Sequence, residues 1–361
     1  MNTMHEVKLP ALDGSNLLAF MAALGTVRLL SLQNAVTLKW IKEDLAWIPV
    51  VVSNLAQGKI METLFSASDA MLDGCQQAII KKCHARIAKL RTFNQKLETN
   101  HNAATKKTLK TALGKRIKKV TKCTEKIEAL TARQRGYAWL AEFEDLKLPA
   151  ETFRDYNSRG QASSSRTGRM WSDFATAFAS EAILKKETID YTAFCALGGG
   201  QSRFIKSLLN LCLEATSVDI NEALFSGWKY DKQCSSLRWD GIEHRRYALR
   251  ANDPASDQKY KVPGANRLAF EALPLFPCMP VGSRLQTTGF SRFEKAVTIT
   301  WPIWTDTLGM DEIRTLLASP SLQKESPDRN TLSAMGIHQI YRSRRISEGK
   351  YRNFTPSTAL L

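Results

Sequence analysis

LPALDGSNLLAFMAALGTVRLLSL (Leu9–Leu32) places the start of the core in this 361-residue chain. Asp13-Gly14-Ser15-Asn16 carries turn and N-cap chemistry, short polar side chains that accept hydrogen bonds from the exposed amides of a first helical turn. Leu17, Leu18, Met21, Leu24, Val27 and Leu30 follow, with Ala22 and Ala23 between them. Since the run is apolar on almost every side, it predicts a helix buried all round and central to the core. Arg28 is its single charge. Working outward, Val36-Thr-Leu-Lys-Trp40 alternates with the period of a strand, and Trp47–Val52 is a second short apolar run of strand character.

From there to Pro149 helical spacing dominates. Seam residues at Ile79, Cys83, Ile87, Leu90, Phe93 and Leu97 recur every three or four positions, and so do Leu109, Leu113, Ile117, Val120, Thr124, Ile127 and Leu130. The interval between them, with Asn100, His101 and Asn102, has turn chemistry and no apolar anchor. The pattern predicts an antiparallel helical hairpin zipped by a narrow seam. Its charge is the most uneven feature of the chain. Lys81–Arg135 holds 17 Lys or Arg against 3 acids, a net +14 of the chain's +16. Pairs such as Lys115–Lys119 and Lys118–Lys122 repel one another at one-turn spacing with little acid nearby, which a solvated helix face avoids. A near-neutral body with one basic projection is the footprint of a polyanion partner, most simply nucleic acid. Lys106, Lys107, Lys110, Lys115, Arg116, Lys118, Lys119 and Lys122 are the expected backbone contacts.

The domain reading is an N-terminal core lobe at 1–76, the basic hairpin at 77–135, a helical middle region at 136–234, and a mixed β/α lobe at 235–361 with a basic tail. Tyr156–Arg169, rich in Gly, Ser and Arg, is expected to be a mobile surface loop, and Met170–Lys186 and Phe204–Glu214 to be helical. Leu237-Arg-Trp, Tyr247-Ala-Leu-Arg, Val297–Trp301 and Pro302-Ile-Trp suggest short strands, and Asn330–Arg345 a final helix. The expected fold class is α+β, predominantly helical with a smaller β component and the long basic hairpin inserted in the N-terminal half. No apolar run approaches membrane-spanning length, the first ten residues lack a secretory signal's apolar core, and seven scattered cysteines fit reduced thiols, so the expectation is a cytoplasmic protein with no membrane partner.

Catalytic patterns are missing from the sequence. Five histidines are dispersed, with no HExxH, CxxC or GxSxG motif. Gly198-Gly199-Gly200 before Arg203 offers a phosphate cradle without the Lys of a P-loop. Glu243 and His244 beside Arg245, Arg246 and Arg250 have acid–base character, though a polar turn with positioning arginines accounts for them more simply. Arg159, Arg166 and Arg169 stand between Tyr156 and Trp171, the arginine–aromatic combination of single-strand binders. Arg342, Arg344 and Arg345, near Tyr341 and Tyr351, form a second basic cluster. The expectation is a binding protein without cofactor or metal. Its alternatives are a metal-dependent nuclease using Asp240, Glu243 and Asp253, and a scaffold docking an acidic protein through the hairpin.

Three stretches carry a resemblance to a known family. Leu9–Leu30, with Ala23, Leu24, Gly25, Arg28 and Leu29 in an Ala-Leu-Gly-x-x-Arg-Leu pattern, resembles the opening of the large-subunit family of type I-G (formerly I-U) CRISPR systems. LRWDGIEHRRYALRANDP (Leu237–Pro254) and VPGANRLAFEALPLFP (Val262–Pro277) are similar to segments of proteins encoded in the same systems. Together they cover about a fifth of the chain, and their motifs are structural rather than catalytic. The basic hairpin has no counterpart in the resemblance, and the chain is short for a large subunit, so an accessory subunit is the other role it allows. The resemblance implies a non-catalytic subunit of an RNA-guided antiviral complex. Such a subunit holds the guide RNA, engages target double-stranded DNA at its protospacer-adjacent motif, contacts the other effector subunits and recruits a separate helicase-nuclease.

Overall fold

Asn16 starts helix α1 (Leu17–Ser31), its side-chain oxygen accepting hydrogen bonds from the amides of Leu18 and Ala19. Fourteen of the fifteen residues of α1 are buried, as the unbroken apolar run predicts. The helix packs on an antiparallel sheet of β1 (His5–Lys8), β2 (Val36–Glu43) and β3 (Ala46–Ser53), in the spatial order β1-β3-β2. Both strands expected from the sequence are there, with Val36, Leu38 and Trp40 as the buried alternate residues of β2. The computed structural model describes residues 4–64, 146–162, 166–195, 202–243, 260–294, 296–348 and 351–361. Met1–Phe65 and Glu144–Leu361 form one compact unit and Ser66–Phe143 another. The expected basic hairpin at 77–135 lies outside the described residues.

Beyond a helical segment at 57–64, the first unit resumes with α2 (Ala150–Ala162) and α3 (Arg166–Phe178), then the hairpin of β4 (Ala179–Lys185) and β5 (Thr188–Tyr191). Helices α4 (Ser202–Glu214) and α5 (Ser217–Asn221) follow. Strand β6 (Lys232–Gln233) pairs with β7 (Tyr260–Lys261), which leads into α6 (Pro263–Glu271) and the hairpin of β8 (Cys278–Val281) and β9 (Arg284–Thr287). The last region holds β10 (Phe290–Phe293), β11 (Ala296–Trp304), α7 (Met310–Leu317), α8 (Arg329–Ala334), β12 (Ile337–Glu348), β13 (Tyr351–Phe354) and β14 (Thr358–Ala359). Its strands make a five-stranded antiparallel sheet, β10-β11-β12-β13, with β14 also on β12.

The core joins these pieces through α1. Phe20 stacks on Trp40 at 5.7 Å between ring centroids and meets Trp301 and Trp304 of β11 at 6.0 and 6.4 Å. Burying a ring such as Phe20 stabilises the fold by roughly 1.5–3 kcal/mol. The indole N–H of Trp301 donates to the carbonyl of Gly14 (2.8 Å) in the turn before α1, and that of Trp304 to the carbonyl of Leu38 (2.9 Å) on β2, which ties the two sheets together. Helix α6, buried along all nine of its residues, crosses α1. The crossing is close enough that a Cβ on Gly25 would sit 1.8 Å from the carbonyl oxygen of Leu268. Beside it Arg28 donates to Glu271 at 3.0 Å, and Arg267 pairs with the same carboxylate from one turn earlier on α6. All three charges are buried, and a charge held away from water persists only with such partners.

Several expectations are corrected. The protein is a mixed α/β structure rather than a predominantly helical one with a smaller β component, since the described residues hold fourteen strands in five antiparallel sheets. The final helix stops at Ala334, where Gly336 takes a φ of 76°, and the stretch expected to stay helical to Arg345 is the long strand β12. A bulge explains the misreading. Ile303 pairs with Gln339 and Trp304 with Ile337, so His338 is an extra residue. That insertion spaces the buried Ile337 and Ile340 three apart, which imitates a helix. The loop expected at Tyr156–Arg169 is helical where it is described, 156–162 in α2 and 166–169 in α3: Phe153, Tyr156 and Gly160 are buried at helical spacing against α3, and this packing overrides a Gly- and Ser-rich composition. The helix expected over 170–186 ends at Phe178, where β4 begins. Ser202–Glu214 is helical as expected, and Val297–Trp304 is one strand where two short ones were expected.

Candidate nucleic-acid interface

The three C-terminal arginines lie on β12, opposite Thr300, Thr298 and Val297 of β11 for Arg342, Arg344 and Arg345 respectively. Strand alternation puts Arg342 and Arg344 on one face and Arg345 on the other. Arg342 is engaged by the fold. Its Nε donates to the Thr300 hydroxyl (3.0 Å), its two terminal nitrogens to the carbonyls of Glu325 (2.7 Å) and Lys324 (2.5 Å), and the guanidinium lies 4.6 Å from the Phe293 ring centre. Burial pushes its pKa below the usual arginine value. Arg345 donates to the carbonyls of Ala193 (3.0 Å) and Cys195 (3.1 Å), which fastens the turn after β5 to the five-stranded sheet. Arg344 is exposed, and of the three it presents the most accessible charge.

Arg159 stands on α2 beside the aromatic pair expected to stack on bases. Tyr156 is only 3% exposed and packs against Trp171 of α3 at 4.5 Å, so its ring is a core contact. Arg159 lies over both rings, 5.3 Å from the Trp171 centroid and 6.0 Å from that of Tyr156. Arg166 and Arg169 fall in the first turn of α3 and Arg203 in the first turn of α4. The remaining candidates, Arg245 and Arg246 with Lys106, Lys107, Lys110, Lys115, Arg116, Lys118, Lys119 and Lys122, lie outside the described residues, as do Gly198–Gly200.

The acidic alternative loses its first member to the fold. The Asp240 carboxylate is buried and accepts from Asn16 Nδ2 (2.9 Å), the Ile242 amide (3.0 Å) and the Tyr230 hydroxyl (2.7 Å). Asp253 lies outside the described residues, and Glu243 ends a short 3₁₀ turn. Among the described residues no group of three or more His, Cys, Asp or Glu is placed to hold a metal ion. Burial pushes the Cys278 thiol up to about 11, which suppresses the reactive thiolate.

The fold also brings together the described parts of Leu9–Leu30, Leu237–Pro254 and Val262–Pro277. Asn16 bonds Asp240, the Leu237 amide donates to Asn266 Oδ1 (3.0 Å), Gly25 lies against Leu268, and Arg28 pairs with Glu271. Residues from stretches far apart in sequence are thus partners across one core. The isolated charge of Arg28 in an apolar helix was the signal for such a partner; nothing local identified Glu271 or Asp240. Among the described residues no helix is long and apolar enough to cross a membrane. No protein-family model matches this chain, and no curated protein is significantly similar to it.

Proposed function

We propose that the chain is a non-catalytic nucleic-acid-binding subunit of an RNA-guided, type I CRISPR effector complex. It engages target double-stranded DNA and guide RNA and works beside the other effector subunits and a separate helicase-nuclease. One observation carries the binding role, the concentration of +14 in fifty-five residues of a chain whose other residues are nearly neutral. Neutralising duplex phosphates releases condensed counterions, so a track of this charge binds polyanions strongly and independently of sequence. The resemblance of Leu9–Leu30, Leu237–Pro254 and Val262–Pro277 supports the CRISPR assignment. In this reading the 77–135 segment tracks the DNA backbone and Arg344 adds a contact from β12, while Arg342 and Arg345 hold the sheet together.

Charge reversal tests the role. Replacing Lys115, Lys118, Lys119 and Lys122 by Glu should weaken binding to unrelated duplexes about equally. It should also flatten the slope of log K against log salt by about 0.9 for each phosphate that is no longer neutralised. A variant with wild-type affinity and salt slope would remove this segment from the DNA path and leave an acidic protein as its partner.

A further inference from the structure

Strand β4 packs against both strands of the β8–β9 hairpin. Cys278 Sγ donates to the Ala177 carbonyl (3.3 Å) and the Ala193 amide to the Thr287 hydroxyl (2.9 Å), so the base of β8–β9 is held against the residues that flank β4–β5. Nearer their turns both hairpins open to solvent. Met279 and Val281 of β8 are 45% and 50% exposed, and Leu184 of β4 is 53% exposed. Met279 and Val281 alternate along β8 and so share a face, with Gln286 and Arg284 opposite them on β9. Lys185 and Lys186 follow Leu184 at one turn, and Arg284 follows the other. These three cations are exposed and none forms an ion pair among the described residues, while Glu187 is the only acid at either turn.

Basic residues at hairpin turns keep strand edges from pairing with other chains, but that role leaves the aliphatic side chains beside them unexplained. A single exposed apolar residue is ordinary, whereas several on adjoining hairpins mark a contact surface. Protein interfaces join an apolar centre to a polar rim, and here the rim is cationic, three charges against one. Phosphates would satisfy the cations and give the aliphatic side chains no partner. A second copy of this chain, related by a twofold axis, would bring the same cations together, which is repulsive. The complement is a segment with aliphatic side chains between acidic ones. We propose that the exposed ends of β4–β5 and β8–β9 dock a partner protein through such a segment, with Leu184, Met279 and Val281 as its apolar contacts and Lys185, Lys186 and Arg284 as its ionic ones. The inference goes beyond the nucleic-acid-binding reading and holds or fails independently of it.

The test uses the full chain and three fluorescent peptides: leucines and isoleucines flanked by Asp and Glu, the same peptide with Lys for the acids, and the same peptide with Ser for the aliphatic residues. The serine peptide measures what the basic 77–135 segment attracts by charge alone. Wild type should bind the acidic aliphatic peptide about tenfold or more tighter than either control. Replacing Met279 and Val281 by Ser should abolish the preference over the serine peptide with melting unchanged, since both side chains are half exposed. Replacing Lys185, Lys186 and Arg284 by Glu should turn the preference toward the lysine peptide. Equal wild-type affinity for the three peptides, or binding of none, overturns the docking surface whether or not a variant folds, and so does a well-folded serine variant that keeps the preference. Sedimentation that shows a dimer lost in the serine variant assigns the surface to a second copy instead. Binding to phosphatidylserine–phosphatidylcholine vesicles, or to a duplex, that the serine variant loses assigns it to a lipid surface or to nucleic acid; each of these results defeats the proposal.

Discussion

Gly25→Ala puts the helix crossing at the centre of the fold to the test. In an isolated helix the change would stabilise by about 1 kcal/mol, because alanine has the higher helix propensity. Here the added Cβ would lie 1.8 Å from the Leu268 carbonyl oxygen and 3.1 Å from the Glu271 Cβ. Ordinary contact begins near 3.4 Å, so α1 and α6 must part by about 1.6 Å, the difference between 3.4 and 1.8 Å. Both helices are buried, and overpacking of this kind costs about 1–3 kcal/mol. The same displacement stretches the 3.0 Å bond between Arg28 and Glu271, and loss of a buried pair costs about 3–5 kcal/mol when complete. Set against the gain in propensity, the net expectation is a loss of about 2–5 kcal/mol, a large share of a typical total of about 5–15 kcal/mol. Urea unfolding of the purified chain measures it as a lowered midpoint. Gly58→Ala supplies the control: Gly58 is exposed in the 57–64 helical segment with nothing within 4 Å of an added Cβ, so the same substitution should be neutral or stabilising by up to about 1 kcal/mol. A Gly25→Ala protein that unfolds at the wild-type urea concentration or above would refute the close crossing.

Two further outcomes separate structural from binding charges and locate a pH response. Arg342→Ala should lower the melting temperature, since it removes the charged hydrogen bonds to Thr300 and to the carbonyls of Lys324 and Glu325, at a stability loss of about 1–3 kcal/mol, while duplex affinity per folded molecule stays constant; Arg344→Ala should do the reverse, weakening duplex binding without a change in melting. At Asp219 burial alone would raise the carboxyl, but hydrogen bonds from Lys232 and Thr216 outweigh it and hold the group below its usual 3.8. A carboxyl lowered on folding contributes stability that is complete above the unfolded value and lost as pH falls through the folded one. Wild type should therefore lose stability faster than Asp219→Asn as pH drops below about 3.8, and parallel acid unfolding curves would contradict the pairing.

Local chemistry alone determined a substantial part of this protein. N-cap chemistry in Asp13–Asn16 was legible because a capping side chain needs only the amides two and three residues on, and α1 as a buried helix because no side of Leu17–Leu30 is polar. Strands β2 and β3 were legible from their own alternation and apolar runs. The charge of 77–135 is likewise a property of the residues themselves, whatever surrounds them. Tertiary structure decided the rest. The Ile337 and Ile340 spacing belongs equally to a helix and to a bulged strand, and only pairing with β11 selects the strand. Tyr156 and Trp171 are consistent with an open stacking site or a packed helix pair, and only the contact of α2 with α3 decides for the packed pair and buries Tyr156. Arg342 and Arg344 are two residues apart in one basic run, yet one holds backbone carbonyls and the other faces solvent. Their roles depend on the segments that fold against them: a backbone carbonyl from residues 324–325 is invisible in the local sequence of β12, and it is what takes up the Arg342 donors.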